Sequence, residues 1–484
     1  MTDATAVSGA PASPVAPLKL NRATKLFYGF GSIAYGVKDG GFRSFLLLYY
    51  NQVVGLEAHL VGLAIMTALV VDSVLDPIIG QVSDNWRSRW GRRHPFMYFA
   101  ALPAAVFYFI LWTPPADWSH QALFFYILVV AVVVRTFITL YEIPSSAMVA
   151  ELSSDYDERT RLMSYRYFFG VWGGLLLGIL TLVVFLQPTE QYPRGQLNPD
   201  GYLAYAWTAS GLILASIVIS ALGTHRFIPM LRKASGEKKS VWQSLKDMAS
   251  TLSNKSFLML MIGGIFKGTG LGLSSALVFY WGTYLWELSS AQMAILLVDS
   301  LFSAVIALAL APRLAKRFGK KPVAIWSLIL AVGIGVAPLI LRYFGLFFEN
   351  GSPWLLPVLF VHGVIYAACG IISLILVSSM IADVVEDSET RTGRRSEGLF
   401  FAASSLVQKA ISGVGVFVSG LVLTAAAFPA GARPGEVEPA TMQSLIAIYA
   451  PTLIGFYALG IFFMALYSID RRRHEENLRQ LNTQ

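Results

Sequence analysis

Charge is scarce in this chain. Only 14% of its 484 residues are Asp, Glu, Lys or Arg, against about 25% in an ordinary soluble domain. That deficit excludes a typical water-soluble globular protein. There is one cysteine, which excludes an internal disulfide framework. No Gly-x-x-x-x-Gly-Lys stretch is present, so the chain carries no nucleotide-driven pump of its own. No catalytic triad or metal-ligand spacing stands out, and we expect neither an enzyme nor a bound cofactor. The first 17 residues contain no Lys or Arg and no apolar run. They do not resemble a signal peptide and are read as part of a disordered cytoplasmic tail, residues 1–22.

What the chain has instead is apolar length. Hydrophobic residues make up 55% of it and the mean hydropathy is +0.58. A spanning helix needs about 20 mostly apolar residues. Twelve stretches qualify: 26–54, 58–83, 95–114, 119–150, 162–187, 203–223, 256–285, 290–312, 322–346, 353–384, 396–428 and 442–469. The expected fold is an all-α membrane protein with twelve transmembrane helices.

The loops alternate in charge. Basic clusters follow spans 2, 6, 8, 10 and 12: "DNWRSRWGRRH", "RKASGEKK", "RLAKRFGKK", "SETRTGRR" and "DRRRHEE". The intervening loops hold only Arg194, Arg342 and Arg433. The positive-inside rule then puts both termini in the cytoplasm of what reads as a bacterial inner membrane. It also explains the net charge of +8 without nucleic acid as a partner; membrane lipid and a small-molecule substrate are the expected partners of a monomer.

The sequence repeats. "SSAMVAELSSDYDERTR" from Ser145 resembles "VSSMIADVVEDSETRTG" from Val377, at an offset of 232 residues, and "RWGRR" from Arg89 resembles "RFGKK" from Arg317, at an offset of 228. Two matches at nearly one offset imply two pseudo-symmetric six-helix bundles, residues 23–223 and 256–469. A cytoplasmic linker, 224–255, joins them, and its "SVWQSLKDMASTL" has the spacing of a surface-lying amphipathic helix. A cytoplasmic tail, 470–484, follows.

Several spans nevertheless contain charges. In "VDSVLDPIIG", Val71 to Gly80, Asp72 and Asp76 lie four residues apart on one helix face. A carboxylate in the membrane interior is tolerable when protonated or next to a cation. A protein alternating between those states loads and releases a cation. One interhelical hydrogen bonder would need only one such group.

Several motifs carry a family resemblance. Twelve spans with "GQVSDNWRSRWGRR" after the second resemble the major facilitator superfamily through Gly80, Asp84, Gly91 and Arg92. "YGVKDGGF", "DSVLDP", "TLYEIP" and "QKAISGVG" resemble more narrowly the glycoside–pentoside–hexuronide:cation symporters, the family of the melibiose permease. "SRWGRRHPF" is also similar to the sucrose:proton symporters. The resemblance implies a cation site at Asp72, Asp76, Glu142 and Thr139, with Lys409 occupying it when the cation leaves. Na⁺ at Asp72 and Asp76 is one possibility. The family pattern tends to place Asn before the second aspartate, and Leu75 stands there, which tilts the coupling ion toward H⁺.

The substrate residues implied are Asp39, Lys38 and Arg43 in span 1, Ser146 where the family has an aromatic, and Tyr167 where it has an arginine, with Arg166 one place earlier. Trp281, within "FYWGTYLW", offers a ring for sugar stacking or for an interfacial belt. Arg43 is also a candidate partner for Asp39. Arg135, seven residues before Glu142, is placed to neutralise an acid or bind an anionic sugar. Lys267 and Asp299 are expected to pair, and His362 to be structural. Asp84, Arg89 and Arg92 form the expected gate, with Arg87 and Arg93 as solvated loop charges. The function expected is cation-coupled symport of a sugar or glycoside by alternating access. The alternatives are a same-fold symporter of a lysolipid or other amphiphile, and a non-transporting sensor.

Overall fold

The computed structural model describes residues 20–153, 155–231, 250–392, 397–433 and 435–469, with Lys246, Arg473, Glu476, Arg479 and Gln480. Most of the N-terminal tail, nearly all of the stretch expected as an amphipathic linker helix, and most of the C-terminal tail lie outside the described residues. In a hydrocarbon slab every backbone N–H and C=O must be satisfied within the protein, and helices do this segment by segment. Among the described residues, eleven helices are long and apolar enough to cross a membrane: α2 Ala58–Asn85, α3 His94–Leu111, α4 His120–Leu152, α5 Asp157–Phe185, α6 Pro199–His225, α7 Lys255–Leu285, α8 Ser290–Phe318, α9 Lys320–Tyr343, α10 Leu355–Thr390, α11 Leu399–Ala425 and α12 Pro439–Ala465.

The twelfth, α1, is not one continuous helix. Residues 22–53 form Arg22–Phe30, a break at Gly31–Ser32, then Ile33–Gly40 and two wide π turns, Gly41–Phe45 and Tyr49–Val53. The glycines have a reason to be there. The backbone of Gly36 meets that of Gly170 and Gly174 in α5, with no room for a Cβ between them. Small residues permit this close helix approach in membranes.

The repeat read from the sequence has structural counterparts. Arg92 donates to Glu151 at 2.7 Å and Lys320 pairs with Asp383 at 2.6 Å. These are matching residues of the two repeated motifs. The π turn Tyr49–Val53 likewise has its counterpart in α7, at Trp281–Leu285.

The halves meet in two ways. Helix α2 packs along α11, with Gly62 and Gly420 at points where backbone faces backbone and Gly413 against Met66 and the Leu69 side chain. At the end away from the termini, the π turn Tyr49–Val53 bonds across the halves to two tyrosines of α7, one just before its π turn and one within it. Tyr280 Oη donates to Asn51 Oδ1 at 2.7 Å, and Tyr284 Oη to Gln52 Oε1 at 2.8 Å. A strap reinforces this end. Arg194, before α6, donates to the Glu287 carbonyl and pairs with its carboxylate at 3.0 Å. Glu287 sits at φ 47°, a left-handed conformation unfavourable for a residue with a Cβ.

Candidate functional site

The intramembrane charges converge where α2, α4 and α11 touch. Asp72 is fully buried. Its Oδ2 accepts from Arg135 Nη2 at 2.6 Å and Nε at 3.0 Å, and lies 2.8 Å from Lys409 Nζ. Its Oδ1 accepts from Thr139 Oγ1 at 2.6 Å. Arg135 is also held over the ring of Phe42, 5.3 Å from its centroid. Asp76, one turn further along α2, accepts from Lys409 Nζ at 2.7 and 3.0 Å. Lys409 therefore bridges two carboxylates of one half from the other half. Helical spacing makes this possible, since positions i and i+4 present both carboxylates to one ammonium.

Glu142 stands apart. Its Oε2 is 4.0 Å from the buried Lys38 Nζ, which pairs more closely with Asp39, at 2.9 Å. Side-chain exposure separates the acids: none for Asp72, 25% for Asp76 and 29% for Glu142. Asp76 and Glu142 are partly open, whereas Asp72 has no open face.

Beside this network lies a cavity of about 630 Å³ between the halves. Asp39, Arg43, Tyr167 and Trp281 line it. Arg43 is exposed to it and forms no ion pair with Asp39; the partner of Asp39 is its chain neighbour Lys38. Ser146 and Arg166 are elsewhere. Arg166 is buried, donating to Ser145 Oγ at 2.9 Å, Ser146 Oγ at 2.7 Å and Tyr28 Oη at 3.3 Å, so these two residues brace α4 against α5. The one-residue difference from Tyr167 rotates the helix by about 100°, and only Tyr167 reaches the cavity.

The loop after α2 also departs from expectation. Arg93, expected in solvent, is buried; it meets Asp84 at 2.5 Å, Glu151 at 3.0 Å and Ser83 at 2.9 Å. Arg92 shares Glu151, whereas Arg89 is exposed over Trp90. Lys267 and Asp299 do not pair: Lys267 reaches Ser373 at 3.4 Å, and Asp299 lines the cavity. Sequence reasoning passed over Asn51 and Gln52. The signal was two adjacent amides, in "YYNQ", closing an apolar span.

Residues 27–471 match the family described as MFS/sugar transport protein. The chain belongs to that family. An uncharacterized symporter of Synechocystis sp. is 28% identical over 96% of this chain and 97% of its own. The isoprimeverose transporter of Lactiplantibacillus pentosus is 25% identical over 95% and 91%, and the glucuronide carrier protein homolog of Escherichia coli 22% over 95% of both. Among solved structures, the D-xylose-proton symporter superposes with a TM-score of 0.61 at 17% identity, over 93% of this chain and 98% of that one. This MFS/sugar transport protein is a multi-pass membrane transporter of the cation-coupled symporter type, and not an enzyme.

Proposed function

We propose that this protein is a proton-coupled symporter of a glycoside, and that the coupling proton resides on Asp76 and Glu142. One observation supports H⁺ over Na⁺ above the others: the Asp72 carboxylate is already saturated by the chain's own cations and Thr139. Sodium needs a cage of several oxygens, by the same logic as other hard cations. Here Arg135 occupies the space such an ion would take, and Leu75 adds no oxygen.

The cycle follows from charge. With Asp76 ionised, Lys409 balances it and the empty carrier keeps a neutral Arg135–Asp72–Lys409–Asp76 chain, tolerable in the membrane. Protonation of Asp76 removes its hold on Lys409 and loosens the tie between α2 and α11. Substrate at Asp39 and Tyr167 then accompanies the change of access. With both termini in the cytoplasm, the end closed by Tyr280, Tyr284 and Arg194 is the outer one, and substrate release faces inward. A sugar is the substrate class favoured by a cavity combining carboxylate, hydroxyl and aromatic groups, and the isoprimeverose and glucuronide relatives support the same class.

Purified protein in liposomes tests this reading. Uptake of isoprimeverose or a glucuronide should follow an inward proton gradient and collapse with a protonophore at clamped voltage. Accumulation driven by a sodium gradient at equal pH on both sides would overturn the choice of ion.

A further inference from the structure

The wall of the cavity contributed by the C-terminal half carries polar groups that the reading above leaves unused. Asp299 of α8 reaches the cavity without an ion-pair partner among the described residues. Its carboxylate lies against the backbone of α10 at Gly363, where any Cβ would collide with it. The next residue back, His362, also lines the cavity, and its Nε2 lies 2.9 Å from the Ile334 carbonyl. A carbonyl only accepts, so Nε2 carries the hydrogen and a neutral ring keeps Nδ1 as an acceptor. The ring stacks in parallel with Tyr366, whose hydroxyl donates to Ser274 Oγ at 3.2 Å.

Trp281 completes this wall. It stands edge-on to Tyr449, 5.1 Å between centroids, and is more than nine-tenths buried. Its indole N–H has no hydrogen-bond partner among the described residues. A buried, unsatisfied donor costs about 1–3 kcal/mol, so a ligand acceptor that reached this group from the cavity would recover that cost.

Resting on the glycoside reading, we propose that Asp299, His362 and Trp281 form a second sugar subsite, which takes the ring or hydroxylated aglycone distal to the one held at Asp39. The chemistry fits that class. A carboxylate accepts from two neighbouring hydroxyls, an indole N–H donates to a ring or hydroxyl oxygen, and aromatic faces cover the apolar C–H side of a pyranose. The cavity's size falls within the range of about 300–1,000 Å³ that holds ligands larger than one sugar ring. The substrate spans the two halves, with one end on α1 and the other on α8 and α10, so it senses their relative movement directly.

The test uses matched probes on the full-length purified protein: isoprimeverose against xylose, and 4-nitrophenyl glucuronide against glucuronic acid, by calorimetry. In the pair that binds, the two-ring member should bind at least tenfold more tightly. Asp299→Asn and His362→Gln should bring its affinity down to that of the single ring, while leaving single-ring affinity and thermal stability unchanged. Equal affinity for one and two rings in wild type, or equal loss of both in the variants, would overturn the second subsite alone. Failure of all four sugars to bind wild type would overturn the glycoside reading and this subsite together. Should Asp299→Asn unfold the protein, Trp281→Phe removes the indole donor and keeps a ring, and it should show the same selective loss of two-ring binding.

Discussion

The two halves share a scaffold and differ in chemistry. Arg92–Glu151 in one is mirrored by Lys320–Asp383 in the other, and the π turn ending α1 by that ending α7. The carboxylates of the charged network are not mirrored: Asp39, Asp72, Asp76 and Glu142 all belong to the first half, and the second contributes the cation Lys409 to them. What is duplicated sits at the two ends of the molecule, where access changes. What is not duplicated sits in the middle, where an ion must be bound. Symmetry therefore separates the moving parts from the coupling chemistry, because alternating access is largely the exchange of equivalent contacts between repeats.

The largest break in this pattern should come from Asp72→Asn. It leaves Arg135 and Lys409 short of a buried counter-charge, and removing one partner of a buried pair costs about 3–5 kcal/mol. We expect loss of accumulation together with a clear fall in melting temperature. A stable Asp72→Asn protein that still concentrates sugar would show that the asymmetric charges are dispensable.

Asp76→Asn should be gentler on the fold. Lys409 keeps Asp72, so melting should change little, while proton-driven accumulation disappears and sugar exchange across the membrane persists. Exchange and accumulation measured on the same liposomes separate these outcomes; equal loss of both would place Asp76 in the fold instead of the coupling.

Arg135→Gln with Leu75→Asn sharpens the comparison by emptying the space beside Asp72 and adding an amide oxygen. Sodium-stimulated uptake should appear at fixed pH where wild type has none. Its absence would mean that Arg135 does not keep sodium out.

The mirrored pairs should yield mirrored, smaller effects. Lys320 is one-third exposed, so Lys320→Gln is expected to cost about 0.5–1 kcal/mol. Arg92→Gln should cost somewhat more, its partner Glu151 being almost fully buried. Both should slow turnover a few-fold without changing the ion dependence. A switch in ion preference in either variant would contradict the division between ends and middle. Smallest of all, Tyr280→Phe removes one bond at the closed end, about 1 kcal/mol, and should raise the reactivity of a cysteine placed in the cavity toward an impermeant outside reagent.

Much of this was legible in the sequence, for a physical reason. Hydropathy follows from membrane thickness alone, so eleven of the spans emerged close to their observed bounds. The Lys409 bridge followed from motif and charge balance. What could not be read was rotation about helix axes. Arg166 and Tyr167 differ by one position, yet one braces two helices and the other faces the cavity. Lys267 and Asp299 looked like partners as opposite charges of neighbouring spans, but they point to different neighbours. Arg93 looked like one more loop arginine until the end of α4 brought Glu151 to it. The broken course of α1 had its clue in Gly29, Gly31, Gly36, Gly40 and Gly41, whose meaning depends on which helix lies opposite.

The strap at Glu287 has a consequence for tempo. A glutamate held at φ 47° carries strain of about 1–3 kcal/mol, and Arg194 is what keeps it there. An opening that lets Glu287 leave this conformation would relieve the strain. The closed end is then a cocked state, secured by a catch yet tilted toward release, so the grip of one guanidinium, alongside the Tyr280 and Tyr284 bonds, bears on the dwell time there. A glycine at 287 would fit the same backbone at rest, and the carrier would linger.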